Sequence, residues 1–123
     1  MSSAHRNTGL AHFESKWQIE SHIRSTRLQW TILRPVFFME NWESPLMADP
    51  ILRGTLGFPL SPGRSLQQVA VDDISAFVLL ALRNRAEWLG RELDLAGDER
   101  PMRDVADAFG RAIGRPVNYW QFP

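Results

Sequence analysis

The sequence predicts an α/β fold with a largely parallel sheet, and three observations carry that prediction. Segments with helical apolar period alternate along the chain with short apolar runs of strand length. The short runs, Trp30–Leu33 and Glu92–Leu95 among them, end abruptly in Arg-Pro or Ala-Gly. The resulting order is helix, strand, excursion, strand, helix, strand, helix, strand, which supplies helices to cover both faces of the strands.

From about residue 11 to Arg27 the chain lacks Pro and Gly, and Ile19 and Ile23 stand four apart, so this segment reads as a helix whose Ile19/Ile23 side packs on a neighbour. His12 and Lys16 fall on that same side. Trp30–Leu33 is a β-branched, apolar strand that stops at Arg34-Pro35, because Pro35 cannot donate to a ladder and disfavours helix at Arg34. Residues 44–66 hold four prolines and three glycines and read as a loop-rich excursion of the kind that forms lids or binding walls. Gln67–Val71 reads as a strand. Asp72 or Asp73 then caps a helix in which Ile74, Phe77, Val78, Ala81 and Leu82 follow the i, i+3, i+4, i+7, i+8 spacing of a buried stripe. Glu92–Leu95 is a short strand closed by Ala96-Gly97. Pro101 opens a helix with Met102, Val105, Ala106, Phe109 and Ile113 inward, stopped by Gly114 and Pro116. Val117–Phe122 is a terminal strand rich in aromatic area.

Composition narrows the function classes. The chain has 123 residues, 44% of them hydrophobic, enough for one soluble domain with a single core. Lys and Arg together number 14 and Asp and Glu 14, so no global field draws the chain to nucleic acid or to an anionic membrane. The absence of cysteine removes disulfide and thiolate chemistry, and with no apolar leader after Met1 a cytoplasmic protein is expected. His5, His12 and His22 lack the i, i+4 spacing of a metal site. Ser44, Ser61 and Ser65 lie in proline-rich loop without a Gly-x-Ser-x-Gly elbow, which argues against a hydrolase.

Four segments together resemble the C-terminal half of the NmrA-like family, atypical relatives of the short-chain dehydrogenases/reductases in the NAD(P)-binding Rossmann superfamily. They are Arg6-Asn7-Thr8-Gly9 followed by His12-Phe13-Glu14-Ser15-Lys16; Ile32-Leu33-Arg34-Pro35 with Phe38-Met39-Glu40-Asn41; Val71-Asp72-Asp73-Ile74; and Ala112-Ile113-Gly114-Arg115-Pro116-Val117. The resemblance spans nearly the whole chain. It implies the C-terminal portion of a Rossmann-like doubly wound parallel sheet plus a small substrate-side subdomain. It also implies a nicotinamide dinucleotide, NADP or NAD, as cofactor. The superfamily's Tyr-x-x-x-Lys pair falls on His12 and Lys16, with the lysine contacting the nicotinamide ribose. Ser2 and Ser3 resemble the end of the strand that carries the superfamily's active-site serine. The loop Pro35, Val36, Phe37 and Phe38 resembles the segment that lines the nicotinamide. By resemblance, then, His12, Lys16 and Ser3 are the catalytic candidates, and Lys16 with Pro35–Phe38 the cofactor-binding ones.

Two departures qualify that inheritance. Histidine shuttles protons near neutral pH but reaches less far than a phenol, so reductase chemistry does not transfer with the spacing alone. No Gly-x-Gly-x-x-Gly or Gly-x-x-Gly-x-x-Gly occurs, and no first strand with a following acidic residue is present to hold the pyrophosphate and ribose. A truncated reading frame is the simplest expectation, with this chain supplying the nicotinamide-side and substrate-side walls.

Each candidate also has a plainer reading. Lys16 suits a surface lysine whose stem covers apolar area, and His12 a polar residue at a helix end. At the level of the whole chain, two other classes compete with an NAD(P)-binding sensor or NAD(P)H-dependent oxidoreductase acting on an unknown small molecule. One is a protein–protein interaction module using an open sheet edge and a Trp42, Trp88, Tyr119 and Trp120 surface, forming a homo-oligomer. The other is a non-catalytic remnant whose first helix has lost its sheet.

Overall fold

The computed structural model describes residues 9–123. Helix α1, Ala11–Ser25, leads into strand β1, Ile32–Pro35, and then into a short strand β2, Phe37–Phe38, and a 3₁₀ turn, Met39–Glu43. Helix α2, Pro45–Leu52, and strand β3, Thr55–Phe58, precede strand β4, Ser65–Val69, and helix α3, Val71–Arg83. A single turn, α4, Arg85–Trp88, is followed by strands β5, Glu92–Leu95, and β6, Asp98–Pro101. Helix α5, Met102–Ile113, and strand β7, Asn118–Gln121, complete the chain.

The strands form three small sheets, β1-β5, β2-β4-β6 and β3-β7. All neighbours run parallel except β4 and β6, which are antiparallel with Gln68 opposite Asp98. This is the mixed, mainly parallel α/β arrangement that the sequence predicts.

Several boundaries differ from expectation. Strand β1 continues through Arg34 and Pro35 instead of ending before them. Ile32 and Val36 donate to β5, so the intervening parity points Pro35's missing N–H to the other side, where it costs no bond to β5. The 44–66 segment is mostly regular: Pro45 opens α2 at a position where its missing N–H and fixed φ are suited to helix, and Pro50 falls in the last turn. Irregular backbone is confined to Ser44, the 53–54 turn and 59–64. Neither Asp72 nor Asp73 caps α3. Ala70 holds the N-cap position with extended backbone and no side-chain cap, and Val71 N–H is satisfied from a distance by Glu40 Oε1 at 2.9 Å. The two aspartates instead lie in the first turn, where the helix dipole favours them.

The main core draws on the chain from Phe37 to Tyr119. Trp42, Ile51, Leu56, Leu66, Met102, Val105, Ala106 and Val117 form one buried cluster, joined by Phe37, Phe58, Phe109 and Ile113. Helix α5 carries its apolar residues inward as its period requires, and ends at Gly114, whose φ of +73° is a left-handed cap suited to glycine. Within α5, Gly110 admits the returning chain: a Cβ there would lie 3.2 Å from the Arg115 carbonyl oxygen.

The α1 and α3 layers are covered less completely. The buried residue of α1 is Glu20, whereas Ile19 is exposed, so the Ile19/Ile23 stripe does not form the packed face expected of it. In α3, Ala81 is buried but Val78 and Leu82 are exposed, Leu82 by 69%. Trp42, expected on an interaction surface, is instead core. No helix among the described residues is long and apolar enough to cross a membrane.

Candidate functional site

In an open parallel sheet, ligands gather beyond the carboxyl ends of the strands. Here those ends are Pro35-Val36, where β1 passes into β2, and Ala96-Gly97 after β5, so the expected Pro35–Phe38 loop is mostly strand. What brings α1 to them is an ion-pair ladder. Arg24 donates to Glu92, which stands opposite Ile32 at the start of β1, at 2.8 Å. One helical turn earlier, Glu20 accepts from Arg34, two residues further along β1, at 2.8 Å and 2.9 Å. Arg24 also reaches Glu20 at 2.8 Å, and Arg34 also bonds Glu92.

The helix therefore runs antiparallel to β1, and the spacing is self-consistent: four residues at about 1.5 Å match two at about 3.3 Å. Lys16 and His12 lie one and two turns before Glu20 on the same helix. Both side chains are exposed, and Lys16 has no ion-pair partner among the described residues. Ser2 and Ser3 lie outside the described residues.

The ladder is electrostatic scaffolding. Arg34 is largely buried, and its fork engages Glu20 through two nitrogens, the geometry guanidinium suits better than ammonium. Hydrogen bonds to Glu20, above all, raise its pKa further, against the opposing effect of burial. Hydrogen bonds from Arg24 and then Arg34 hold the Glu92 carboxyl down at about 2. The α1-facing side of the β1-β5 pair is therefore charged, with Asp94 at 3.5 Å from Arg34 on its rim, whereas the α3-facing side carries Leu33 and Leu93.

The loop residues divide by environment. Val36 is buried and donates its N–H to the Leu95 carbonyl at 3.2 Å. Phe37 is half-buried in the core, its ring 4.8 Å from Trp42 and 5.6 Å edge-on to Phe58. Phe38 is exposed and Pro35 half-buried, so these two present the loop's accessible surface.

Continuing from that end is a cleft of about 420 Å³ lined by Met39, Trp42, Gln68, Val105, Phe109 and the rim pair Asp98 and Arg100, among others. Gln68 sits on the central strand β4, in register with Phe37 on one side and Asp98 on the other. It is 6% exposed, and its Oε1 accepts from Trp42 Nε1 at 2.6 Å. Sequence reasoning did not select Gln68, and it assigned Trp42 to an interaction surface. The available signal was the Gln67-Gln68 pair: in a strand of period two, one of them must face inward. Among the described residues, no group of three or more His, Asp or Glu side chains is arranged to hold a metal ion.

The NmrA-like family profile matches residues 1–123. Prestalk A differentiation protein A of Dictyostelium discoideum is 24% identical over 104 residues, which is 83% of this chain and 34% of that protein. A nucleoside-diphosphate-sugar epimerase from Staphylococcus aureus superposes on 98% of this chain and 42% of its own, with a TM-score of 0.86 and 16% identity. NmrA, a negative transcriptional regulator solved in complex with NAD, superposes on 88% of this chain and 36% of its own, with a TM-score of 0.68 and 25% identity. The same regulator in complex with NADP gives a TM-score of 0.71 at 24% identity over 91% of this chain. The chain spans about a third of the curated relative and about two-fifths of these solved structures. These likenesses place the chain on the carboxyl-terminal part of a Rossmann-like fold.

Proposed function

We propose, from the premise that this chain belongs to the NmrA-like family, that it forms the nicotinamide-side and substrate-side wall of an NAD(P)-binding protein, a redox sensor or an NAD(P)H-dependent reductase. What supports this reading is the docking of α1 on the β1-β5 pair through Glu20–Arg34 and Arg24–Glu92, with Lys16 and His12 one and two turns before Glu20 on that helix and Pro35 at the carboxyl end of β1. Support also comes from solved relatives that carry NAD or NADP.

The residues present fit one half of a dinucleotide. An exposed ammonium at Lys16, unpaired among the described residues, suits a ribose hydroxyl, and the surface of Pro35 and Phe38 suits a flat ring. The pyrophosphate has no glycine-rich turn in these 123 residues to receive it. When bound, the dinucleotide would supply hydride. In this chain Lys16 would orient the ribose, and His12, one turn before it on α1, would be the proton-transfer group. A sensor needs only the first of these roles, a reductase both.

The test separates the two halves of the cofactor. Reduced nicotinamide mononucleotide and AMP are titrated into the ¹⁵N-labelled chain. The mononucleotide should shift the Lys16, Val36 and Phe38 amides, and Lys16→Ala should weaken it about tenfold. Equal response to AMP, or no response at those amides, overturns the reading.

A second reading has its own observation. A groove of about 590 Å³ lies between β1 and α3, lined by Trp30, Leu33, Val78 and Leu82, and α3 also exposes Val71, Leu79 and Leu80. Apolar area of this kind suits a protein–protein interface, self-association included, in which case the chain would sediment as an oligomer and leave both mononucleotides unbound.

A further inference from the structure

We propose that the cleft containing Gln68 is a binding site for a neutral, flat carbonyl compound, whose oxygen accepts a hydrogen bond from Gln68 Nε2 while its ring lies against Trp42 and Phe109. This deepens the preceding reading by naming a ligand class for the substrate side.

The orientation of the Gln68 amide follows from its neighbour. An indole N–H can only donate, so the amide atom 2.6 Å from Trp42 Nε1 is the oxygen, and the amide NH₂ points elsewhere. Neither of its two donors meets an acceptor among the described residues, although the residue is 6% exposed. Buried amide donors are ordinarily paired, so this one calls for an acceptor from outside the chain. Its surroundings say what that acceptor belongs to. The wall is aromatic and aliphatic, through Trp42, Phe109, Met39 and Val105, which selects a flat apolar body. The charges stand at the rim: Arg100 is already tied to Asp98 at 2.6 Å, which leaves Glu43 as the net charge there and disfavours an anion. With one donor, no interior charge and about 420 Å³, the cleft suits one ring bearing one carbonyl.

Its position connects it to the rest of the site. Met39 follows Phe38 directly, Asp98 follows Gly97, and Gln68 pairs with Phe37, so the cleft opens from the same strand ends as the loop.

The experiment compares acetophenone with α-methylstyrene, in which a CH₂ group replaces the carbonyl oxygen, by ¹H–¹⁵N titration of the full chain without dinucleotide. Acetophenone should move the Gln68 side-chain amide and the Trp42 indole resonances saturably and bind about fivefold tighter than α-methylstyrene, the margin of one net hydrogen bond. Gln68→Glu keeps an acceptor for Trp42 but replaces the donor, and should abolish that preference. Equal affinity for the two probes, an unmoved Gln68 amide at saturation, or no binding would each overturn the proposal, the last meaning that water alone satisfies the amide. If Gln68→Glu does not fold, the two probes on the natural chain still decide. Because no dinucleotide is present, the outcome is independent of the mononucleotide titration.

Discussion

Replacing Glu92 by Gln should remove a pH-dependent part of the stability of the chain, and the sign and size both follow from the ladder. Arg24 first, and Arg34 second, lower the Glu92 carboxyl from its ordinary 4.5 to about 2 in the folded protein. The unfolded chain therefore binds the proton more readily. The stabilisation is fully present above pH 4.5 and is lost as pH falls through that value towards 2. Taken at face value the shift is worth about 3.4 kcal/mol. The Glu92 side chain is 31% exposed, and solvent screening reduces this to roughly 1–2 kcal/mol. Glu20 still meets both arginines in the variant, so the helix stays docked.

The assay is urea unfolding followed by tryptophan fluorescence at a series of pH values from 7 to 2.5. The natural chain should exceed Glu92→Gln by roughly 1–2 kcal/mol at pH 7, with the difference closing towards zero at the acid end. Asp98, which Arg100 also holds below its ordinary value, is present in both proteins and cancels. A difference that stays constant with pH, or that grows as pH falls, would refute the account of the ladder.

Three other outcomes follow from packing. Met102→Ala, at a fully buried position in the main core, should cost about 3 kcal/mol in thermal or urea unfolding, more than any surface change. Gly114→Ala forces a side chain into φ +73° and should cost about 1 kcal/mol with no change in the folded spectrum elsewhere. Leu82→Lys should leave stability within about 0.5 kcal/mol, and if the α3 face mediates self-association it should lower the sedimentation coefficient at high concentration.

The elements that could be read from the sequence are those whose period and burial agree. Helix α5 is the clearest case, because Met102, Val105 and Ala106 follow helical spacing and all three reach the core. Helix α3 shows the same spacing but not the same burial, since periodicity reports which residues share a face and not whether a partner covers that face. Strand β6 escaped notice because Asp98-Glu-Arg-Pro101 has no apolar alternation. It is the edge strand of its sheet, where exposure permits a polar sequence and a terminal proline. In α2, Pro45 stands at the first position, where its missing N–H costs no helical bond, whereas Pro50 lies inside the helix and removes the bond to the Leu46 carbonyl.

The site was legible where residue spacing encodes it and hidden where long-range pairing does. His12 and Lys16 are four apart, and any helix brings them together. Where that helix sits on the sheet depends on Glu20 meeting Arg34 across 14 residues and Arg24 meeting Glu92 across 68. No local pattern reveals such pairs, and the apolar reading of α1 even pointed away from them, since it looked to Ile19 where the buried residue is Glu20. Gln68 was hidden for a related reason. Its partner Trp42 lies 26 residues away in a 3₁₀ turn, and only the pairing of β4 between β2 and β6 turns a polar residue of one strand into the single donor of an apolar cleft. In this chain, charge sets the register of the helix on the sheet, and burial of one amide gives the cleft its chemistry. The two act on different sheets, β1-β5 and β2-β4-β6. A change in Arg34 should therefore loosen α1 from β1 while leaving the Gln68–Trp42 bond in place.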